Sequence, residues 1–148
     1  MKKKIKIIYS GLIAGLFSQG ILGALFMSPP VQKILYNPNW QSELFLEITP
    51  TREIFPSVAG LVVLSIVHSW LFNLLQKSIP GQTWIKKGLF WGFTIWIMYW
   101  VFQEWFVYHT LLQEPILLTF VELTILLFGS LIEGLIISKF LFEINKEE

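Results

Sequence analysis

The chain has no cysteine and no aspartate. Without a thiol it can form no disulfide, no thiolate metal site and no thiol redox centre. That sets aside the quinone-linked thiol oxidoreductases, which are also small helical membrane proteins but work through cysteine pairs. Histidine is scarce, at two residues in 148. One His and two Glu inside the apolar part of the chain offer no i, i+4 ligand pair, so no metal is expected. The sequence contains no Walker-type glycine loop and no G-x-S-x-G elbow, and its polar stretches are too short for a nucleotide-binding domain. No catalytic residue and no cofactor is assigned, and enzymatic activity is not the leading expectation. Charged residues make up only 14% of the chain, and all ten acids are Glu.

Apolar residues are abundant instead, at 54%. They fall into four stretches, 7–27, 54–75, 89–107 and 116–142. Each is near the ~20 residues that a helix rising ~1.5 Å per residue needs to cross ~30 Å of hydrocarbon. The expected fold is all-α: an integral membrane, antiparallel four-helix bundle forming one domain over 1–148, with a long outer loop over 28–53. The start, Met1-Lys2-Lys3-Lys4-Ile5-Lys6, has the charge of a secretory signal. The apolar run behind it exceeds the usual ~7–15 residues of a signal core and lacks a small-residue cleavage site, so a retained span is expected.

Basic residues set the orientation. Lys2, Lys3, Lys4, Lys6, Lys77, Lys86, Lys87, Lys139 and Lys146 fall on one side of such a bundle; only Lys33 and Arg52 fall on the other. The side rich in Lys and Arg is the cytoplasmic one, which places both termini in the cytoplasm of a cell membrane, with a bacterial inner membrane as the expected site. Topology accounts for the basic residues, so no nucleic-acid partner is implied.

The first connection opens with Ser28-Pro29-Pro30, a helix stop. Val31–Tyr36 reads as a short amphipathic piece and Asn37-Pro38-Asn39 as a turn. The apolar run Glu43–Ile48 is expected on the bilayer surface or against the bundle. Thr49-Pro50 has the form of a helix start, with Pro56 as a kink. Pro80-Gly81 marks a tight turn, and Glu114-Pro115 opens the last span.

At 100° per residue, small and polar groups line one face of every span. These are Gly11, Ala14, Gly15, Ser18 and Gln19 in the first, and Ser65, His68, Ser69, Asn73 and Gln76 in the second. The third presents Gly88, Gly92, Tyr99 and Gln103; the fourth presents Thr119, Glu122, Gly129, Ser130 and Glu133. Gly11, Gly15, Gly88, Gly92, Ser130 and Gly134 are the candidate helix-packing positions, because small residues let backbones approach in a membrane. Trp91, Trp96, Trp100 and Trp105 crowd the third span and are read as packing or lipid-facing rings.

Intramembrane carboxyls cost at least ~2.5–3.5 kcal/mol on insertion scales and need a partner or a task. Glu104, a turn from its span's outer end, is expected to snorkel to water, and His109 to be solvated. Glu122 and Glu133, eleven residues apart, face one way at depths that bracket His68. With Asn73 they form the candidate intramembrane polar site, and Glu133 is expected against His68, Ser69 or Asn73.

The stretch Ser78-Ile79-Pro80-Gly81-Gln82-Thr83-Trp84-Ile85-Lys86-Lys87-Gly88-Leu89-Phe90-Trp91-Gly92-Phe93 resembles the middle connection of small uncharacterised bacterial four-helix integral membrane proteins. The resemblance covers roughly the last three spans and implies the four-span fold, with no activity attached. Small multidrug exporters are similar in span count, but their essential first-helix Glu has no counterpart in Gly11–Met27. Function is expected through helix–helix association, as an accessory or stabilising subunit of a larger membrane assembly. The expected partners are the lipid bilayer and another membrane protein or further copies of this chain. The alternative is a proton-coupled or lipophilic-ligand carrier using Glu122, His68 and Glu133, with a membrane-embedded enzyme behind it.

Overall fold

A computed structural model describes residues 2–44 and 54–142, and among them there is helix and turn but no strand. The α-helices are α1 (Lys2–Phe26), α2 (Pro29–Leu35), α3 (Ile54–Leu75), α4 (Trp84–Ile95) and α5 (Ile116–Phe142). Three of them hold a stretch long and apolar enough to cross a membrane: Lys3–Phe26, Val58–Leu75 and Ile116–Phe142. The expected span at 89–107 takes a different form. Its α-helix ends at Ile95, and the chain continues in π-helical turns over Trp96–Val101 and Gln103–Leu111. At the start of the chain α1 runs back through the lysines, which are good helix formers once solvated.

Local chemistry sets the helix ends. Ser28 Oγ donates to the Leu25 carbonyl at 2.6 Å, and Pro29 and Pro30 occupy the first positions of α2, where a missing N–H costs nothing. Asn37 accepts from the Asn39 amide at 3.1 Å and opens a 3₁₀ turn, Pro38–Trp40. Thr83 caps α4 by accepting from the Lys86 amide at 3.3 Å. Gly81 just before it has φ +113°, a conformation that only glycine adopts without strain. The apolar run at 43–48 and the helix start at Thr49-Pro50 lie mostly outside the described residues.

The contacts run α3–α1–α5–α4, with each neighbouring pair antiparallel. Gly11 and Gly15 seat α1 on α3: a Cβ on Gly11 would stand 2.5 Å from Ile66 Cα, and one on Gly15 2.9 Å from Ser65 Cβ. Beside them Ser10 and Ser69 share a hydrogen bond of 2.5 Å, and Ser69 Oγ donates to the Ile7 carbonyl at 2.8 Å. The α4–α5 contact is tighter still. A Cβ on Gly92 would lie 2.4 Å from the Ser130 carbonyl, and one on Gly134 2.4 Å from the Gly88 carbonyl. The glycine positions read from the sequence are therefore occupied by neighbours within the chain. Gly20 and Gly23, by contrast, have no atom within 4 Å of a built Cβ.

Two apolar clusters divide the interior along its length. Near the Pro80 turn, Ile7, Ala14, Phe72, Ile79, Trp91, Ile95, Ile137 and Leu141 pack together. Near the Glu114 turn, Leu22, Trp100, Leu123, Ile125 and Leu126 form a smaller one. Large apolar side chains also stand on the surface: Phe55 is 84% exposed, Met98 75% and Phe17 61%.

These contacts give a test. Gly15→Leu or Gly92→Leu should lower the thermal unfolding midpoint in detergent, since forcing extra methylenes into a packed contact costs about 1–3 kcal/mol or more. Gly20→Leu should leave it nearly unchanged, as read by circular dichroism.

Candidate functional site

Polar chemistry is concentrated at two levels, one near each end of the helices. Towards the Pro80 end, His68 of α3 and Glu133 of α5 meet, with Nδ1 and Oε1 2.8 Å apart. Their side chains are 13% and 6% exposed. When the ring proton sits on Nδ1, the imidazole donates and the carboxylate accepts, so two costly groups satisfy one another. Asn73, five residues further along α3, meets Gln76 instead: Gln76 Nε2 lies 3.5 Å from Asn73 Oδ1 and 3.3 Å from its backbone carbonyl oxygen. At the same end α3 and α4 touch through Phe72 and Trp91, whose ring centroids are 5.9 Å apart, and through Lys87 Nζ donating to the Gln76 carbonyl. The helices are closed against each other here.

Glu122 belongs to the other level. Three turns along α5 from Glu133, it joins Glu104 and Glu114, and one carboxylate oxygen of each lies within 4.8 Å of the others. Glu104 is 3% exposed and Glu114 8%. The expectation that Glu104 snorkels to water is therefore corrected. The π-helical turns are the physical reason. On an α-helix Glu104 lies about 140° from Tyr99, but a hydrogen-bonded turn of five residues brings positions i and i+5 back to one side. Tyr99 and Glu104 therefore both face inward. Glu114 reaches the cluster from the turn before α5, where Gln113 has φ 56°. Thr119 Oγ1 donates to Glu114 Oε2 at 2.9 Å, and His109 Nδ1 lies 2.7 Å from the Glu114 carbonyl oxygen. His109 is thus half-buried and tied to the turn rather than solvated.

Beside the carboxyls lies a cavity of about 520 Å³. Leu22 and Phe26 of α1, Leu61 and Leu64 of α3 and Leu126 of α5 give it an apolar wall. Glu104, Glu122, Gln19, Gln103, Tyr99 and Tyr108 supply polar groups, and Trp100 lies among them. None of the described residues lining it is Lys, Arg or His. Pro56, Val58 and Gly60 of α3, on its rim, are exposed. The side-chain contacts that join α3 to α4 at the Pro80 end thus give way to an open space at the Glu114 end.

The electrostatics limit what this level can hold. Two full negative charges 4.8 Å apart repel by about 3 kcal/mol at an effective dielectric near 20. Three carboxyls this close are held together by compensating interactions, of which the Thr119 hydroxyl bond to Glu114 is one. Four tryptophans of the aromatic run divide between roles. Trp91 and Trp100 are buried, Trp96 Nε1 donates to the Leu123 carbonyl at 2.8 Å, and Trp105 is exposed.

No family model, curated protein or solved structure matches this chain.

The sequence-derived set His68, Asn73, Glu122 and Glu133 is thus not gathered in one place. His68 meets Glu133, while Glu122 joins Glu104 and Glu114. The sequence does carry a partial signal for the second level, in the shape of three Glu within a nineteen-residue stretch that holds no Lys or Arg, 104–122.

The His68–Glu133 pair makes its own prediction. Glu133→Leu should destabilise the protein by about 1–3 kcal/mol, because it strands a buried imidazole. Glu133→Gln should cost much less, since the amide oxygen still accepts. Unfolding of both variants in detergent checks the difference.

Proposed function

We propose that this chain is an integral membrane protein that binds a lipophilic ligand and acts as its carrier. The cavity beside Glu104 and Glu122 is the observation on which that reading rests. Three helices long and apolar enough to span support a membrane location. So does the exposed apolar surface, since soluble monomers rarely expose apolar patches beyond a few hundred Å². In this reading Trp84–Leu111 is the fourth span of an antiparallel bundle. Both termini and the Pro80 turn are cytoplasmic, following the basic residues. The cavity then lies in the outer half of the membrane, with Glu122 about 9 Å along α5 from its start.

Ligand pockets run to about 300–1,000 Å³ and combine apolar walls with a few placed polar groups, and this cavity of about 520 Å³ has that make-up. Pro56, Val58 and Gly60 at its rim provide entry from the bilayer between α3 and α4. The closed contact of His68 with Glu133 and of Phe72 with Trp91 bars passage to the cytoplasmic side. This arrangement suits a carrier loaded from the outer leaflet. A role as an accessory subunit acting through helix association draws less support, because the glycines that suggested it are packed inside the chain.

Native mass spectrometry of the protein released from nanodiscs tests the reading. A retained small molecule is expected on the wild type. It should be lost from Gly23→Phe and Gly60→Phe, which fill the cavity at positions where a Cβ meets nothing within 4 Å. Absence of any small molecule, with a stoichiometric larger membrane protein attached, would favour the accessory-subunit role instead.

The orientation has a separate check. Cysteines introduced at Lys4 and Lys146 should resist a membrane-impermeant thiol reagent in intact cells, and one at Asn39 should react. The reverse pattern would overturn the proposed topology.

A further inference from the structure

Resting on the reading of the cavity as a carrier's ligand site, we infer that the His68–Glu133 pair binds a proton, delivered from the cavity by water held at Ser130 and Trp91. Two orphaned side chains at the closed end carry this. Trp91 Nε1 and Ser130 Oγ are buried with no hydrogen-bond partner among the described residues. Trp91 is 6% exposed and Ser130 1%. Buried polar side chains are nearly always paired, so two orphans in one region need a physical account. They stand beside the pair. Ser130 is three residues from Glu133 on α5, a spacing that makes side chains neighbours. Gly92, next to Trp91, has its built Cβ 2.4 Å from the Ser130 carbonyl, which sets Trp91 at the height of Ser130. Phe72, four residues from His68 on α3, meets the Trp91 ring.

Water joins these groups chemically. The indole N–H only donates, and the hydroxyl donates and accepts. The bond between His68 and Glu133 uses Nδ1 and Oε1, so Nε2 and Oε2 are the acceptors when Nδ1 carries the ring proton. Water bridging Trp91 and Ser130 to these atoms has the two to four polar partners that a buried water needs. Leu126, on the cavity wall, is one turn from Ser130, so the route from cavity to Glu133 covers about 10 Å of α5. With Nδ1–H donating to the carboxylate, the pair carries one net negative charge. A proton passed from water to Nε2 makes it an imidazolium–carboxylate pair with no net charge, which suits an apolar site better. The water that gives up the proton takes another from the cavity side. Other titratable groups at this end are directed elsewhere. Lys87 of α4 bonds the Gln76 carbonyl, Lys139 of α5 lies over the Trp84 ring at 5.8 Å, and Lys6 and Tyr9 of α1 face Ile5 and Phe140. Lys77 and Lys86 are exposed. The pair is part of the contact that closes the cavity off from the cytoplasm, so the proton binds where the carrier has to open.

Solid-state NMR of the full chain in lipid bilayers, labelled with ¹⁵N-histidine, tests this without any ligand. The chain has two histidines, and His68→Gln identifies the His68 signals. They should change from the neutral to the protonated form between about pH 8 and pH 5, the range in which histidine serves as a proton switch, and water should transfer magnetisation to the ring. In Glu133→Gln the ring should stay neutral over the same range. Trp91→Phe combined with Ser130→Ala should slow proton exchange at His68 severalfold, and Trp91→Phe alone serves if the double variant does not fold. Gly23→Phe, which fills the cavity, should slow it too.

A His68 ring without water contact, held in one protonation state over the whole range, would overturn the proton inference. A small molecule retained on the same wild-type protein would then leave the carrier reading standing. Water contact with no change of protonation would assign Trp91 and Ser130 to a purely structural water and overturn it equally. Exchange indifferent to Trp91→Phe, or to Gly23→Phe, would overturn the route from the cavity.

Discussion

Between α4 and α5 the two backbones are in direct contact, with a built Cβ on Gly92 only 2.4 Å from the Ser130 carbonyl and one on Gly134 2.4 Å from that of Gly88. In a membrane this kind of contact gains from dispersion and close approach rather than from hydrophobic burial. Its consequence reaches beyond the pair itself. It fixes the rotation of α4 as the chain enters the π-helical turns, and Trp96, bonded to the Leu123 carbonyl, carries the same register one step further. The inward setting of Tyr99 and Glu104 follows. The Gly11 and Gly15 contact does the equivalent for α1 and α3, holding Ser65, His68 and Ser69 towards the interior.

Polar groups sort to the two levels because each level solves desolvation differently. Near the Pro80 end the helices are closed, and a buried carboxyl must find its partner within the protein; Glu133 finds His68 across the α3–α5 gap. Near the Glu114 end the helices diverge, and three carboxyls converge beside open space. A single closed contact with a buried pair is a structural solution. At the other level the carboxyls stand beside a cavity, and this asymmetry of closed and open ends underlies the carrier proposal.

Much of the helical framework was legible in the sequence. The end of α3 at Leu75 and the start of α5 at Ile116 fall where the apolar runs end and begin. Gly11, Gly15, Gly88 and Gly92 could be named as close-approach positions from spacing alone, since on a regular helix four residues return to the same face. Glu104 could not be placed, because a 100° wheel assumes an α-helix throughout and the segment after Ile95 does not keep that period. Nor could Glu114, which reaches the site from a turn whose direction depends on the left-handed conformation at Gln113.

By itself the sequence determined helical periodicity, the number and length of apolar runs and the side on which basic residues gather, because these depend only on local composition and a fixed rise per residue. Only the tertiary structure decided which polar groups meet. Glu122 and Glu133 share one face of one helix, yet they end at different levels because the neighbours opposite them differ: α3 closes on Glu133, while the π-helical turns after α4 bring Glu104 to Glu122. A face is a property of one helix; a site requires the rotation and separation of several, and here the glycine contacts and the extra residue in each π turn set both.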